Sequence, residues 1–78
     1  MKNICTLNRL NEGEKCRVRK LLIQGNMRKR LRDIGLIEGT DVDCLKKSVS
    51  GDPTAYLIRG AVIALRSDDS SRIIVNKL

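Results

Sequence analysis

The side chains best equipped for chemistry in this chain are its cations. Lys15, Arg17, Arg19, Lys20, Arg28, Lys29, Arg30 and Arg32 fall between positions 15 and 32 with no acidic residue among them. Guanidinium and ammonium groups are donors only, so at neutral pH they recognise anions rather than abstract protons. Over the whole chain, 16 Lys and Arg against 9 Asp and Glu leave a net charge of +7. Such a chain is drawn to phosphates, to carboxylates or to an anionic membrane surface. Catalysis has little to work with, because histidine is absent and Cys5, Cys16 and Cys44 therefore have no imidazole to activate them. Asp68 and Asp69 are adjacent, so their carboxylates diverge and suit a turn or a cap better than acid–base work. No glycine-rich loop with a following lysine is present to cradle a nucleotide. No enzyme, and no cofactor or metal, is expected.

The cysteines form no Cys-x-x-Cys spacing and are odd in number, which argues against a disulfide framework. A zinc site would need all three plus a carboxylate. Cys16 and Cys44 sit in alternating segments where a small buried hydrophobe fits, while Cys5 lies near the start and is open to exposure. Nucleic acid is the obvious anionic partner, yet Tyr56 is the single aromatic residue, so there is almost no platform for stacking bases or for a proline-rich peptide. Nucleic-acid binding is disfavoured on that ground.

The elements that must position the cations follow from periodicity. Met27, Leu31 and Ile34 fall at i, i+4 and i+7, one apolar stripe of a short helix for which Asn26 is the candidate N-cap. On that helix Arg28 and Arg32 share a side, with Lys29 and Arg30 flanking it. Gly35 stands where a left-handed residue ends a helix, and Gly39 where a tight turn feeds the next strand. Strands are predicted over 15–23, 40–47, 55–58, 61–65 and 73–75, with Arg59-Gly60 as a hairpin turn and Gly51-Asp52-Pro53 in a further turn. Five strands and one inserted helix in 78 residues imply a mainly β domain, a small curved sheet closed into a barrel. Its predicted core is Leu10, Val18, Leu22, Met27, Leu31, Ile34, Leu36, Val42, Leu57, Ile63, Leu65, Ile73 and Val75. Tyr56 is expected to be half-buried. Residues 1–6 and the last two are expected to fray.

The ordered spacing of Leu7, Leu10 and Gly13, then Arg30-Leu31, Asp33, Gly35-Leu36 and Gly39-Thr40, then Gly51-Asp52-Pro53, Arg59-Gly60, Leu65-Arg66, Ile73 and Val75 resembles the FeoA family of ferrous iron transport proteins. Glu38 and Val49 depart from it where prolines are frequent, and Ser70 where a small apolar residue packs. The resemblance spans residues 7–76 and implies a single SH3-like barrel. It also implies a small cytosolic accessory protein of ferrous iron uptake, acting with the FeoB-type GTP-dependent permease on its cytoplasmic side. Arg28, Arg30 and Arg32 are the first candidates for a partner surface, and the Gly51, Asp52, Pro53 loop the second. The alternatives are a metal-responsive regulatory module, since similar barrels end iron-dependent repressors, or a small nucleic-acid-binding barrel. An open sheet edge would also permit weak homo-oligomers. With no apolar run long enough to cross a bilayer and no signal-like start, the expected location is the cytoplasm, peripheral to the membrane through the partner.

Overall fold

A computed structural model describes residues 3–78. In chain order it contains β1 (Ile4–Thr6), a 3-10 turn (Leu7–Arg9), β2 (Lys15–Leu21), α1 (Asn26–Asp33), β3 (Asp41–Lys47), β4 (Thr54–Ile58), β5 (Ala61–Leu65), α2 (Ser67–Ser70) and β6 (Ile73–Lys77). All strand pairs are antiparallel, in the order β1-β6-β2-β3-β4-β5. The inward residues of β2, β3, β4, β5 and β6 meet in one cluster, so the sheet curls around its own core.

All five expected strands form, and a sixth precedes them. Ile4, Cys5 and Thr6 pair with Asn76, Val75 and Ile74 of β6, so this part of the segment expected to fray is held in the sheet. Residues 1 and 2 lie outside the described structure. The 3-10 turn that follows delivers Leu7 and Leu10 into the core, both completely buried.

The core follows the expectation except where strand phase was ambiguous. In β2, Cys16 and Val18 point inward, and then the register against β6 shifts between Val18 and Lys20. An extra residue on one strand reverses which side the next residues face. Leu21 and Ile23 are therefore buried and Leu22 is 47% exposed, not a core residue. In β4, Ala55 to Ile58 is apolar throughout, so alternation carries no phase information. Thr54, Tyr56 and Ile58 face inward and Leu57 is displaced to the intermediate shell. Tyr56 is fully buried rather than half-buried, its hydroxyl 3.5 Å from the Leu7 carbonyl.

Helix α1 closes one side of the core through Leu31, with Met27 and Ile34 packed against the cluster. Asn26 is its first helical residue, not its cap; Gly25 takes the cap position at φ 75° and ψ −149°, backbone that an L side chain resists. The other end is a complete Schellman closure. Leu36 N–H donates to the Leu31 carbonyl at 2.8 Å and Gly35 N–H to the Arg32 carbonyl at 3.0 Å, with Gly35 at φ 94°. Leu31 and Leu36 are both buried, supplying the apolar contact that accompanies this motif. The buried Thr40 hydroxyl then donates to the Gly35 carbonyl at 2.8 Å and accepts from Ile37 N–H at 3.2 Å, which ties the loop after α1 into one piece.

Candidate functional site

The three arginines expected to act together are divided by the helix that carries them. Positions i and i+4 share a helix face, whereas i+2 lies on the far side. Arg28 and Arg32 line a groove of about 270 Å³ together with buried Leu21 and Leu36, exposed Ile37 and the acid Glu38. Arg28 is steadied there by a long hydrogen bond, 3.5 Å, from Nη1 to the Leu21 carbonyl. Arg30 borders a different groove, of about 290 Å³, between α1 and β5. All three arginines are exposed, and none forms an ion pair among the described residues.

The rest of the basic stretch does not join them as one face. Arg17 pairs with Asp41 across the β2–β3 register, with Nε 2.7 Å from Oδ1 and Nη2 3.3 Å from Oδ2. The hydrogen bond from Arg17 holds the Asp41 carboxyl below the usual carboxylate range. Lys15 lies 3.9 Å from Asp43 on the same pair of strands. Two of the eight clustered cations are therefore matched by β3 acids that are distant in sequence. The unopposed charge concentrates on Arg19, Lys20 and α1.

The second candidate, the Gly51, Asp52, Pro53 loop, is committed to the fold at its centre. Asp52 accepts from Ser67 N–H at 2.8 Å and from the Ser67 hydroxyl at 3.3 Å, capping the start of α2 from a neighbouring loop. The loop itself is fastened by a 2.8 Å bond from Gly51 N–H to the Ser48 carbonyl. What it offers to solvent is apolar: Val49 is fully exposed, and with Pro53, Ala55 and Ala64 it borders a shallow depression of about 450 Å³ edged by Lys46 and Lys47. Val49, in the sequence only a departure from the family pattern, is thus the apolar residue that this segment turns to solvent.

Exposed apolar residues also mark β5. Ala61, Val62 and Ala64 are exposed, and β5 carries no charge. The buried thiols lie elsewhere, inside the sheet. Burial pushes the Cys16 thiol up to about 12 and that of Cys44 upward as well, so neither is a ready nucleophile.

Comparison with known proteins places this geometry. The FeoA domain family matches residues 5–77. The solution structure of FeoA from Chlorobium tepidum superposes with a TM-score of 0.89 at 27% identity, covering 94% of this chain and 70% of that one. The Stenotrophomonas maltophilia FeoA complexed with zinc, described as a prokaryotic SH3 domain protein proposed to act as a ferrous iron transport activating factor, gives 0.77 at 27% identity, covering 91% and 88%. A manganese-dependent transcriptional repressor gives 0.84 at 18% identity, covering 96% of this chain and 42% of that one, a likeness of fold alone. No curated protein matches by sequence. The described elements, the SH3-like curl of the sheet and the match over residues 5–77 agree, and the chain belongs to the FeoA family of ferrous iron transport proteins.

Proposed function

We propose that this chain is a cytoplasmic accessory protein of ferrous iron uptake that docks on the cytoplasmic side of a FeoB-type GTP-dependent permease through the Arg28–Arg32 flank of α1. The observation that carries this reading is that two guanidinium groups without an ion pair among the described residues share one exposed groove with apolar Leu21, Leu36 and Ile37, against the single acid Glu38. A charged rim around an apolar floor is the anatomy of a protein interface. Arg28 and Arg32 stand on a helix whose far end is locked by the Schellman closure, so binding has to order their side chains and not the backbone that carries them. Docking of this kind acts by favouring one conformation of the transporter over another through unequal affinity, with no reacting group supplied by this chain.

The test is retention of the purified protein on a FeoB-type permease, and on its isolated nucleotide domain, at low and moderate salt. Binding should be salt-sensitive, and the double reversal Arg28→Glu, Arg32→Glu should weaken it by roughly 100-fold, as for charged pairs at an interface. The thermal transition should fall only slightly, because both side chains are exposed and the reversal costs only the long Arg28–Leu21 bond and the favourable charge of Arg32 in the last turn of α1. Unaltered affinity in the double variant removes this flank from the interface. Equal retention on anionic vesicles without permease reassigns the charge to the membrane surface.

A further inference from the structure

Strand β5 is one of the two edges of the sheet, β1 being the other, and pairs only with β4. The two-residue turn Arg59-Gly60 has φ 48° and 84°, a type I′ geometry, which makes Ile58 and Ala61 a hydrogen-bonded pair. Alternation along an antiparallel ladder then makes Tyr56–Ile63 and Thr54–Leu65 the next bonded pairs. The N–H and C=O groups of Val62 and Ala64 consequently point away from β4. None of them has a backbone partner among the described residues. Most exposed edges are blunted by a charge, a proline or a bulge. This one has none: its sequence is Ala-Val-Ile-Ala-Leu and its register is regular from end to end.

Alongside that edge runs the second groove. Ile63 and Leu65 line it from β5, Met27 from α1 and Ile34 from the cap that ends it, together with the charged Arg30, Arg66 and Asp69. Ala64 also borders it, although its side chain faces the outer surface, so the groove opens where the strand's backbone is bare. An unpaired edge beside an apolar trough walled by a helix is the arrangement that accepts an added strand.

We propose that the β5 edge and the α1–β5 groove bind an extended segment of another protein, its alternate side chains aliphatic and its flanking residues acidic. The backbone of Val62 and Ala64 supplies the ladder, and Met27, Ile34 and Ile63 take the aliphatic side chains. Arg30 and Arg66, one charge in excess over Asp69, take the carboxylates. The same charges disfavour a second copy of this chain as the occupant. A two-fold β5–β5 pairing would bring both sets of arginines together on molecules of net charge +7 each, and β5 has no acid to offer in return. This site lies on the opposite flank of α1 from Arg28 and Arg32 and involves no permease, so it stands or falls separately from the docking described above.

The probe is a synthetic ten-residue peptide with two glutamates at each end and a centre alternating valine and threonine, titrated into the ¹⁵N-labelled chain, with the same peptide carrying lysines at its ends as control. The acidic peptide should shift the amide signals of Val62 and Ala64 and slow their hydrogen exchange, and the basic one should not. N-methylating the acidic peptide on alternate residues should weaken binding roughly tenfold, by loss of ladder hydrogen bonds from a partner that need not fold. Val62→Pro, tolerated at an edge position, should do the same with the rest of the spectrum retained. Shifts confined to the Arg28–Arg32 flank, or unaffected by N-methylation, would overturn the proposal as mere charge attraction. Concentration-dependent protection of Val62 and Ala64 without peptide would also overturn it, assigning the edge to a second copy.

Discussion

The Arg59 side chain lies across Gly35, so closely that a β-carbon at Gly35 would come within 2.9 Å of Arg59 Nε and 3.3 Å of its Cγ. The end of α1 and the β4–β5 turn, 24 residues apart in the chain, are thereby packed on one another. Gly35→Ala meets two obstacles: the left-handed backbone, worth about 1–2 kcal/mol for an L residue, and the arginine. The arginine is flexible and moves aside, so the backbone term dominates. Gly35→Ala should lose about 1–2 kcal/mol in urea unfolding. Arg59→Ala combined with it should return only the smaller steric part, a coupling of about 0.5 kcal/mol. Strict additivity would show that the contact has no energetic weight.

Tyr56 fills the centre of the barrel, and its two chemical parts should separate cleanly. The hydroxyl is 3.5 Å from its Leu7 acceptor, at the long limit of a hydrogen bond. Tyr56→Phe should therefore cost less than about 1 kcal/mol. Tyr56→Ala removes the ring from the core and should cost about 3–5 kcal/mol. That equals the whole stability available to a domain this small, roughly 3–5 kcal/mol, so the alanine variant should be unfolded by far-ultraviolet circular dichroism.

How far these features were legible in the residues depends on the kind of signal each one left. Gly35, Gly39 and the Met27, Leu31, Ile34 stripe announce α1 and its end, because cap chemistry and helical periodicity are local. Leu22 and Leu57 were misplaced because phase is not local. At Leu22 a bulge set by the partner strand inverts the alternation, and at Leu57 an unbroken apolar run has no alternation to read. The candidate surface shows the same division. That Arg28 and Arg32 share a side follows from helical geometry, and the separation of Arg30 from them could have been drawn from the same geometry. The neutralisation of Arg17 by Asp41 could not, since it depends on strand register between residues 24 positions apart. Nor could the use of Asp52 as a cap for Ser67, a contact between a loop and the first residue of α2, 15 positions on.

That capping role makes Asp52 a test of loop against fold. Asp52→Ala should destabilise the domain by about 1 kcal/mol, the usual cost of a lost helix cap. Asp52→Asn keeps an acceptor and should recover much of it. If the loop serves only the fold, permease binding at a temperature where both variants remain folded should equal that of the parent chain. A loss of affinity in the asparagine variant at unchanged stability would instead give the loop a direct contact.

At the acid end, Asp41 and Glu14 should set part of the pH dependence. The hydrogen bond from Arg17 lowers the Asp41 carboxyl, and the backbone N–H of Asn11 lowers that of Glu14. Each favours the folded state above the ordinary carboxylate range, about 4, and the advantage disappears as pH falls through the depressed folded values. Both groups lie at the surface, so added salt should shrink the Asp41 contribution. Asp41→Asn should flatten the acid limb of the urea-midpoint profile at low salt, and an unchanged limb would show the pair to be energetically silent.

The thiols set the alkaline end. Burial raises Cys16 to about 12 and moves Cys44 and Tyr56 upward too. A buried group that stays protonated in the fold but ionises when the chain unfolds supports the fold fully below its unfolded value, about 8.5 for a thiol. Its contribution is then lost as pH rises through the folded value. Urea midpoints should consequently fall from about pH 9 upward. Cys16→Ala should start lower, from lost packing, yet decline less steeply, leaving Cys44 and Tyr56 to supply the remaining slope. Iodoacetamide labelling followed by mass spectrometry gives an independent reading. The partly exposed Cys5 should be modified in the native protein, whereas Cys16 and Cys44 should react only at the rate of unfolding. Fast labelling of Cys16 at neutral pH, or a parallel alkaline slope in Cys16→Ala, would show that the thiol is not sealed in the core as its complete burial requires.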